Sequence, residues 1–588
     1  MVATPLRCFT LGQAWKIWRW SYFTPELAST TRRRDCGIAI AALKACGSSM
    51  DLTLGQFVHA DTVQFGLSCD IYVATTLVDM YAKCGSMIQA QRVFDAMQSR
   101  NAVAWTALIL GYAENGQGEV GLEILSKMRD CRCQADSTTF LAALKACGDI
   151  AAREQGRKIN GRLVREESLT KACEIHARAA EAGCDSHPFV ANSLISLYSR
   201  CGGVEQALSV FEKLEKKTVV SWTALMLGCV ENGEAELALD LFSRMDSVSD
   251  AQAYVAALTA CASVCEKSRL DGSSKLQALE RGMAIHSSAA RSGLDSTTNV
   301  FVSNTLVDMY SKCGSLLDGR AVFDRMSSRD VVSWNALLLG YAENGEPGLA
   351  LELFEAMKQH HHPTARTFLA AFIACGNLAA LQLGRSIHNE LRRNHRQLLD
   401  SDPFLGNCII DFYGKCGSMA EAREVFEAMV KNRRWRKDVV TWGALMAGYS
   451  HQGDTSSVLE LFEKMVAEER IQPDAVTFLS ILTACSHAGL VDQGRHYFAE
   501  MSSRYGVTPV QEHYHCLVDL LGRSNRLDEA LAVVRAMPFP ASAITWSTLL
   551  GACKKWKNAE VGKFAFDSWQ RLDEKNATAY LLMASTTS

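Results

Sequence analysis

The sequence predicts an all-α protein, a right-handed α-solenoid superhelix of stacked helix-turn-helix repeats. Two observations lead to this prediction: three sequence words return in a fixed order, and apolar residues between them follow a helical period. The 588 residues are 48% hydrophobic and include only 10 prolines, which suits a helical array with a continuous core. The repeats favour one long array over several ordinary domains.

Each sequence word marks one kind of repeat, and we name the repeats first-word, second-word and third-word accordingly. The first word is of the type Thr-Phe-x-x-x-Leu-x-Ala-Cys and occurs at residues 139–147, at 367–375 with Phe372 in place of the leucine, and at 477–485. The second word, Asn/Thr-x-Leu-Val-Asp-Met-Tyr-x-Lys-Cys-Gly, occurs at 75–85 and 304–314. The third word, Val-Val-Ser-Trp-x-Ala-Leu, occurs at 219–225 and 331–337.

The spacing of the words gives the length of a repeat. Cys46 and Cys147, which end successive copies of the first word, are 101 residues apart. The third-word tryptophans are 117, 112, 108 and 104 residues apart, at Trp105, Trp222, Trp334, Trp442 and Trp546. A triplet therefore contains three units of roughly 31 to 36 residues, the size of a helix-turn-helix repeat.

Within a unit, two helices are predicted. The spacing i, i+3, i+4, i+7 indicates a first helix and is seen at Trp105, Leu108, Ile109 and Tyr112. Asn115-Gly116 ends that helix, and a second apolar period begins at Val120. Extra segments lengthen some units and are expected to be surface loops; they lie near 159–175, 265–278, 392–400 and 430–437.

The 21 cysteines are expected to be reduced and buried. Two sets recur at equivalent repeat positions, which lie too far apart along a solenoid to pair with each other. One set follows an alanine, at Cys46, Cys147, Cys261, Cys375, Cys485 and Cys553. The other set precedes a glycine, at Cys84, Cys201, Cys313 and Cys416.

The three words, in units of about 35, 31 and 35 residues, resemble the PLS subclass of pentatricopeptide repeat (PPR) proteins of land plants. The resemblance covers 36–575, with about fifteen repeats in P-L-S triplets, and residues 576–588 resemble the start of a truncated E extension. Tetratricopeptide repeats are the nearest rival, but their Trp-x-x-Leu-Gly-x-x-Tyr word is absent.

The resemblance implies that single-stranded RNA is read one base per repeat by two side chains, the fifth residue of the repeat and its last. The implied pairs are Thr75 with Asn101, Thr106 with Asp136, Asn192 with Thr218, Thr223 with Asp250, Asn304 with Asp330, Asn335 with Thr364, and Asn407 with Asp438. The family's rules then give, from 5′ to 3′, the bases A, G, any, pyrimidine, G, any, U, pyrimidine, any and U. Helix N-capping is the alternative role for the last residues.

The second residue of a PPR repeat packs against base planes, and the resemblance assigns this role to Val103, Val220, Val332 and Val440. Ordinary packing at a helix start is the alternative for these valines. Several repeats are expected to specify no base, because their fifth residue cannot hydrogen-bond. These residues are Leu141, Val255, Leu369, Leu479 and Gly443.

PLS proteins are similar to site-recognition factors for cytidine-to-uridine editing, many of which end in a deaminase domain called DYW. Deaminase chemistry requires His-x-Glu followed by Pro-Cys-x-x-Cys, which hold a zinc ion and an acid/base glutamate. The chain has His388-Asn389-Glu390 but no Cys-x-x-Cys. We therefore expect no enzyme, metal or cofactor, and a deaminase or other editing factor supplied in trans.

The distribution of charge supports an organelle as the compartment, but the net charge counts against RNA as the partner. Residues 1–35 are expected to be an organelle transit peptide, because they contain many arginines and a single glutamate before Asp35; the mitochondrion is the expected compartment and the plastid the alternative. The net charge of −3 counts against RNA and keeps open a protein-binding helical-repeat scaffold. The longest apolar runs are too short to cross a membrane, and a monomer is expected.

Overall fold

A computed structural model describes residues 32–159, 162–245, 250–267, 272–294, 299–431, 438–572 and 577–587. The chain divides into two compact units, one ending at Met309 and one beginning at Tyr310. The predicted transit peptide at 1–35 falls almost wholly outside the described residues.

The first unit is built from helices and one short β-ribbon. Its helices are Arg32–Ser49, Leu52–Gln64, Ile71–Lys83, Met87–Ala96, Ala102–Glu114, Gly118–Asp130, Ser137–Arg153, Glu166–Glu181, Pro188–Cys201, Val204–Lys213, Val219–Glu231, Ala235–Ser243, Ala251–Lys267, Gly272–Arg291 and Val300–Lys312, the last of which contains the unit boundary. A 3-10 turn spans Leu67–Cys69, and the ribbon strands are Arg157–Ile159 and Arg162–Val164.

In the second unit, the described residues form helices and the turns that connect them. Its helices are Leu316–Arg325, Val331–Glu343, Pro347–Lys358, Ala365–Asn377, Leu381–Asn394, Arg396–Ser401, Pro403–Lys415, Met419–Lys431, Val439–His451, Thr455–Glu463, Ala475–Ala488, Val491–Ser503, Gln511–Arg523, Leu527–Arg535, Ala543–Trp556, Ala559–Gln570 and Ala577–Thr587. A π-helical segment, Lys464–Glu468, extends one of them.

Successive helices pair into hairpins, and neighbouring hairpins pack through their first helices. In the first unit, Ala102–Glu114 packs against both Ile71–Lys83 and Ser137–Arg153. In the second unit, Pro403–Lys415 packs in the same way between Ala365–Asn377 and Val439–His451. The predicted all-α class and the helix-turn-helix repeat are confirmed, and the described residues contain fifteen such hairpins and one further first helix.

Caps at both ends explain where the first helices begin and end. The Asn101 side-chain oxygen accepts a hydrogen bond from the Ala104 backbone N–H at 2.9 Å, which satisfies a donor that the helix leaves unpaired. At the other end of a first helix, Gly202 adopts φ +87°, a conformation that residues with a side chain rarely take.

Hydrogen bonds between first helices set the register of neighbouring hairpins. In three third-word helices, the asparagine at the C-terminal end donates its Nδ2 to a backbone carbonyl of the preceding hairpin. The bonds are Asn115 to Ala82 at 2.8 Å, Asn232 to Ser199 at 2.7 Å and Asn344 to Ser311 at 2.8 Å. The Asn-Gly step thus ends a helix and also fixes the hairpin beside it.

The third-word tryptophans bind the hairpins together at a second point. Four of the five contact, edge to face, a phenylalanine on the second helix of the preceding hairpin. The ring centroids are 4.8 Å apart in Trp105–Phe94, 4.7 Å in Trp222–Phe211, 5.0 Å in Trp334–Phe323 and 4.9 Å in Trp442–Phe426. Aromatic pairs of this geometry contribute about 1 kcal/mol beyond the burial of their area, so the periodic tryptophan is a packing residue.

Two expectations need correction. The segment 159–175 is not a surface loop, because its second half belongs to the helix Glu166–Glu181, and the segment 392–400 contains the end of one helix and the start of Arg396–Ser401. Residues 432–437 lie outside the described residues. Cys265 and Cys313 are disulfide-bonded, so the expectation of reduced thiols is wrong for them. That expectation depended on recurring positions, and Cys265 does not occupy one.

Candidate nucleic-acid interface

An open groove of about 980 Å³ lies on the first helices of the first unit. It brings together the fifth residue Asn192 and the last residue Thr218 of the same repeat. Phe189 and Val220, the second residues of this repeat and of the next, line it too. A polar pair and two apolar side chains therefore line one cavity.

The four valines predicted to contact base planes are on the surface. Val103, Val220, Val332 and Val440 are between 48% and 60% exposed. Each is the second residue of its helix, and its exposure argues against the alternative of ordinary packing. An apolar side chain that recurs in the open at one helical position is available to a flat, apolar ligand face.

The fifth residues of second-word repeats differ in how far their polar groups are engaged by the protein. The amides of Asn192 and Asn407 make no hydrogen bond among the described residues, and the Oδ1 of each is enclosed by protein without a partner. Asn304 is buried at 8% exposure. Thr75 instead donates its hydroxyl to the Ile71 carbonyl of its own helix at 2.6 Å.

Two fifth residues of third-word repeats form side-chain hydrogen bonds with the next repeat. Asn335 donates its Nδ2 to Thr364 Oγ1 at 3.2 Å, and its Oδ1 accepts from Thr367 Oγ1 at 2.7 Å. Thr106 and Thr139 share a hydrogen bond of 2.8 Å between their hydroxyls. In both cases the partner is a threonine at the start of the next first helix, so the fifth residue already serves the junction between two repeats.

Thr223 departs from this arrangement. Its hydroxyl donates to the carbonyls of Val219 and Val220 within its own helix, at 3.0 and 3.1 Å. The residue is only 4% exposed. A base that is to be read there must displace these bonds.

Family profiles match the chain in many segments. The profile of the PPR repeat matches residues 72–101, 103–133, 189–219, 220–248, 301–331, 332–362, 407–433, 476–505 and 512–538, and that of the PPR repeat family matches 437–487. A pentatricopeptide repeat-containing protein of Arabidopsis thaliana, named as mitochondrial, is 33% identical over 94% of this chain and 75% of its own length. The chain belongs to the pentatricopeptide repeat (PPR) family.

Other PPR relatives are longer than this chain. One from Arabidopsis thaliana is 33% identical over 92% of the chain and 65% of its own length, and another, named as chloroplastic, is 34% identical over 92% and 58%. The chain thus spans less than two thirds of these two relatives.

Two solved PPR structures are similar to the chain. One is the protein PPR10 in complex with an 18-nt psaJ RNA element, 19% identical, with a TM-score of 0.42 over 99% of this chain and 81% of that one. The other is PPR10 from maize, 16% identical, with a TM-score of 0.38 over 97% of this chain and 99% of that one.

The last residues of the PPR repeats cap the helices that follow them. Asp136, Asp330 and Asp438 accept from the backbone N–H three residues later at 2.8 to 2.9 Å, and Thr218 does so at 3.3 Å. Thr364 forms a capping box with Thr367. The alternative role in capping is therefore real for these five residues.

Capping engages only one carboxylate oxygen of two of these aspartates. In Asp136 and Asp438, the hydrogen bonds reach one carboxylate oxygen, Oδ1. Burial tends to raise the pKa of Asp136, but hydrogen bonds from Thr138 and Thr139 outweigh it and hold the pKa below its ordinary value. The carboxylate is thus ionised at neutral pH, with its second oxygen able to accept a bond.

Sequence reasoning missed four aromatic residues at the second position. Tyr72, Phe189, Phe301 and Phe404 are 68% to 78% exposed. They occupy the same helical position as the valines, in second-word repeats. The signal was present in the sequence, because each lies three residues before the predicted fifth residue.

Two predicted pairs have no side-chain geometry between their members. Asn304 belongs to the first unit and Asp330 to the second, so this pair spans the unit boundary. For Asp250, only a backbone contact is described, in which its carbonyl accepts from the Tyr254 N–H at 3.4 Å.

His388 and Glu390, the isolated His-x-Glu match, have structural contacts. His388 is 7% exposed, with its Nδ1 2.8 Å from the Tyr413 hydroxyl, and Glu390 pairs with Lys358 at 3.3 Å. Across the described ranges, no three ligating side chains cluster as a metal site would require. In the same ranges, every helix is too short or too polar to traverse a bilayer.

Proposed function

We propose that this PPR chain binds single-stranded RNA in an organelle and reads it one base per repeat along its first helices. It would act as a site-recognition factor for cytidine-to-uridine editing or a related RNA modification, with the catalytic enzyme supplied in trans. The PLS resemblance of the repeat words supports the editing role.

The observation that carries this proposal is the groove around Asn192 and Thr218. An unstacked base has two apolar faces and a polar edge, and single-stranded RNA is recognised through both. Phe189 and Val220 offer apolar surface for the faces, while the amide and the hydroxyl can bond the edge. An apolar peptide side chain would leave those polar groups without partners.

The proposal is tested by binding of two ten-nucleotide RNAs, measured by fluorescence anisotropy. One carries the bases A, G, any, pyrimidine, G, any, U, pyrimidine, any and U, and the other has purines and pyrimidines exchanged at the specified positions. We expect tighter binding of the first. Equal affinity for both would end coded reading, and no binding of either would favour the protein-binding scaffold.

A single substitution tests the residue assignment. In Asn304→Thr, with Asp330 unchanged, the preference opposite that repeat should move from U towards G. The shorter threonine leaves room for a purine, and the aspartate still accepts from the base. An unchanged preference would refute the assignment of this pair even if the chain binds RNA.

The organelle and the editing role need tests in cells. Relatives named as mitochondrial and as chloroplastic support an organelle without choosing one, and we propose the mitochondrion. A fluorescent protein fused after the full chain should enter mitochondria. Loss of the protein should abolish editing at a small set of cytidines, and purified chain alone should deaminate none of them.

A further inference from the structure

A second cavity of the first unit, of about 520 Å³, lies between the second helices of two neighbouring hairpins. Its lining comes mainly from the end of the helix Gly118–Asp130, from the linker that follows it, and from the end of the helix Glu166–Glu181. It shares no lining residue with the groove that contains Asn192 and Thr218, which lies on first helices. The cavity is therefore distinct from the candidate base-reading surface.

The lining of this cavity is rich in arginine. Arg129 comes from the first of the two helices, Arg132 from the linker and Arg178 from the second helix, and Glu181 is the one acid. The net charge of the lining is thus +2, on a chain whose net charge is −3. Among the described residues, Arg132 and Arg178 form no ion pair. Arg129 has only an exposed contact of 3.8 Å with Asp130.

Arg178 is held in place by the neighbouring hairpin. Its Nη2 donates to the Leu125 carbonyl at 3.1 Å, and the guanidinium has further N–H groups to donate. Burial and, to a smaller extent, the positive charge of Arg129 lower the pKa of Arg178. Two like charges are therefore kept near each other in a partly buried place, and an anion beside them would relieve their repulsion.

The equivalent positions in the second unit carry an ion pair instead. Arg178 and Glu390 are equivalent, because each lies two residues after a histidine that bonds a tyrosine of the next hairpin. Arg129 and Lys358 are equivalent, because each directly follows a buried methionine of the preceding second helix. Lys358 and Glu390 pair at 3.3 Å. The cavity thus keeps the cation of this pair and has a second cation in place of the acid.

The cavity is larger than a bare inorganic anion needs. Its volume lies in the range of about 300 to 1,000 Å³ that is typical of small-molecule sites. Beside the arginines, Ala135, Phe140 and Ala182 contribute apolar surface, and Gln134 contributes an amide. The amide and the Glu181 carboxylate can bond hydroxyl groups. These residues fit an anion that is attached to a compact, hydroxylated organic group.

We propose that this cavity binds a small phosphate monoester, either a sugar phosphate or a nucleotide. A phosphate monoester carries a charge of about −1.5 to −2 at neutral pH, which matches the net charge of the lining better than the single charge of a carboxylate does. A guanidinium can also donate two parallel hydrogen bonds to phosphate oxygens. This inference goes beyond RNA reading and does not depend on it.

Calorimetric titration of the full chain with ribose 5-phosphate, AMP and inorganic phosphate tests the proposal. We expect at least one of the two esters to bind roughly tenfold more tightly than inorganic phosphate, because the organic group adds contacts with the lining. The ester that binds more tightly identifies the source of the phosphate group. Absence of binding for both esters, or equal affinity for inorganic phosphate, would overturn the proposal.

A charge reversal at Arg178 locates the binding site. Arg178→Glu restores the acid of the equivalent repeat and should weaken ester binding at least about tenfold, because it removes a charged donor. The matched control Lys127→Glu makes the same charge change at an exposed residue that does not line the cavity, and should weaken binding less than about twofold. Equal weakening in the two variants would overturn the proposal. AMP that retains its affinity in Arg178→Glu would bind elsewhere, which would also overturn it.

The variant Arg132→Gln guards against misfolding. The Arg132 side chain makes no hydrogen bond or ion pair within the described residues, so its replacement leaves the anchored Arg178 in place. Ester affinity should fall roughly tenfold, while the midpoint of thermal unfolding stays within about 2 °C of that of the wild type. Unchanged ester affinity in this variant would contradict the binding of phosphate by the arginine cluster.

Discussion

Two repeats carry the same predicted base-reading pair and differ in what that pair does without RNA. Asn192 and Thr218 line an open groove, and the Asn192 amide makes no hydrogen bond within the described residues. Asn335 bonds Thr364 and Thr367 at 3.2 and 2.7 Å. A base at the Asn335 repeat must replace existing bonds, whereas a base at the Asn192 repeat adds new ones. The same pair of residue types is therefore not expected to bind a base equally well in the two repeats.

The difference comes from the repeat that follows. Asn335 precedes a first-word repeat, whose Thr367 is the third residue of its helix and reaches back to the asparagine. Asn192 precedes a third-word repeat, in which Ser221 occupies that position. The Ser221 hydroxyl bonds the capping Thr218 at 2.9 Å instead. We expect second-word repeats to supply most of the sequence specificity.

The largest expected effect is a pH-dependent loss of stability in the second-word helices. Their tyrosines bond a histidine of the preceding hairpin, at 3.0 Å in Tyr198–His176 and 2.8 Å in Tyr413–His388. Burial, with a smaller effect of Arg392, lowers the pKa of His388 to about 4. Since the unfolded chain takes up this proton near pH 6.5, stability falls by up to about 3 kcal/mol as the pH drops from 6.5 to 4.

Hydrogen exchange measures this effect locally. Amides of Pro403–Lys415 should lose protection over that pH range more than those of the third-word helix Val439–His451. The variant His388→Gln, which retains an acceptor for Tyr413 but cannot titrate there, should remove most of the difference. If the wild type and the variant respond equally to acid, His388 is not the cause.

The next largest effect is expected at Phe189. Because an aromatic residue that stacks on a base contributes about 2 kcal/mol, Phe189→Ala should weaken RNA binding roughly thirtyfold. Val332→Ala, at the same position of the Asn335 repeat, should have a smaller effect, since it removes less apolar surface. Leu317→Ala is a matched control, because Leu317 is 87% exposed on a second helix. A loss for Leu317→Ala as large as that for Phe189→Ala would contradict stacking.

The sequence was sufficient for the architecture. The helical period around Trp105 and the Asn115-Gly116 stop predicted a hairpin whose helices are Ala102–Glu114 and Gly118–Asp130. Such features depend on local periodicity and capping, which neighbouring residues determine. The valines at the second position lie on the surface, and their contact with base planes stays a prediction.

The hydrogen bonds of the candidate site could not be predicted in this way. Thr106 and Thr139 are 33 residues apart, and their contact depends on how closely two hairpins approach. The ribbon depends on an insertion that has no counterpart in the repeat, so no period reveals it. Residue types at a repeat position indicate what chemistry is present, and the packing between repeats decides whether it is available.

The most direct test exchanges a pyrimidine for a purine opposite the Asn192 repeat and, separately, opposite the Asn335 repeat. Because the Asn192 amide has no internal bond to replace, its repeat should discriminate by about 1 kcal/mol, or roughly fivefold in affinity. The Asn335 repeat should discriminate less than about twofold, because its bonds to Thr364 and Thr367 offset those to the base. Equal discrimination at the two repeats, or stronger discrimination at Asn335, would contradict the central claim that packing between repeats determines which of them read.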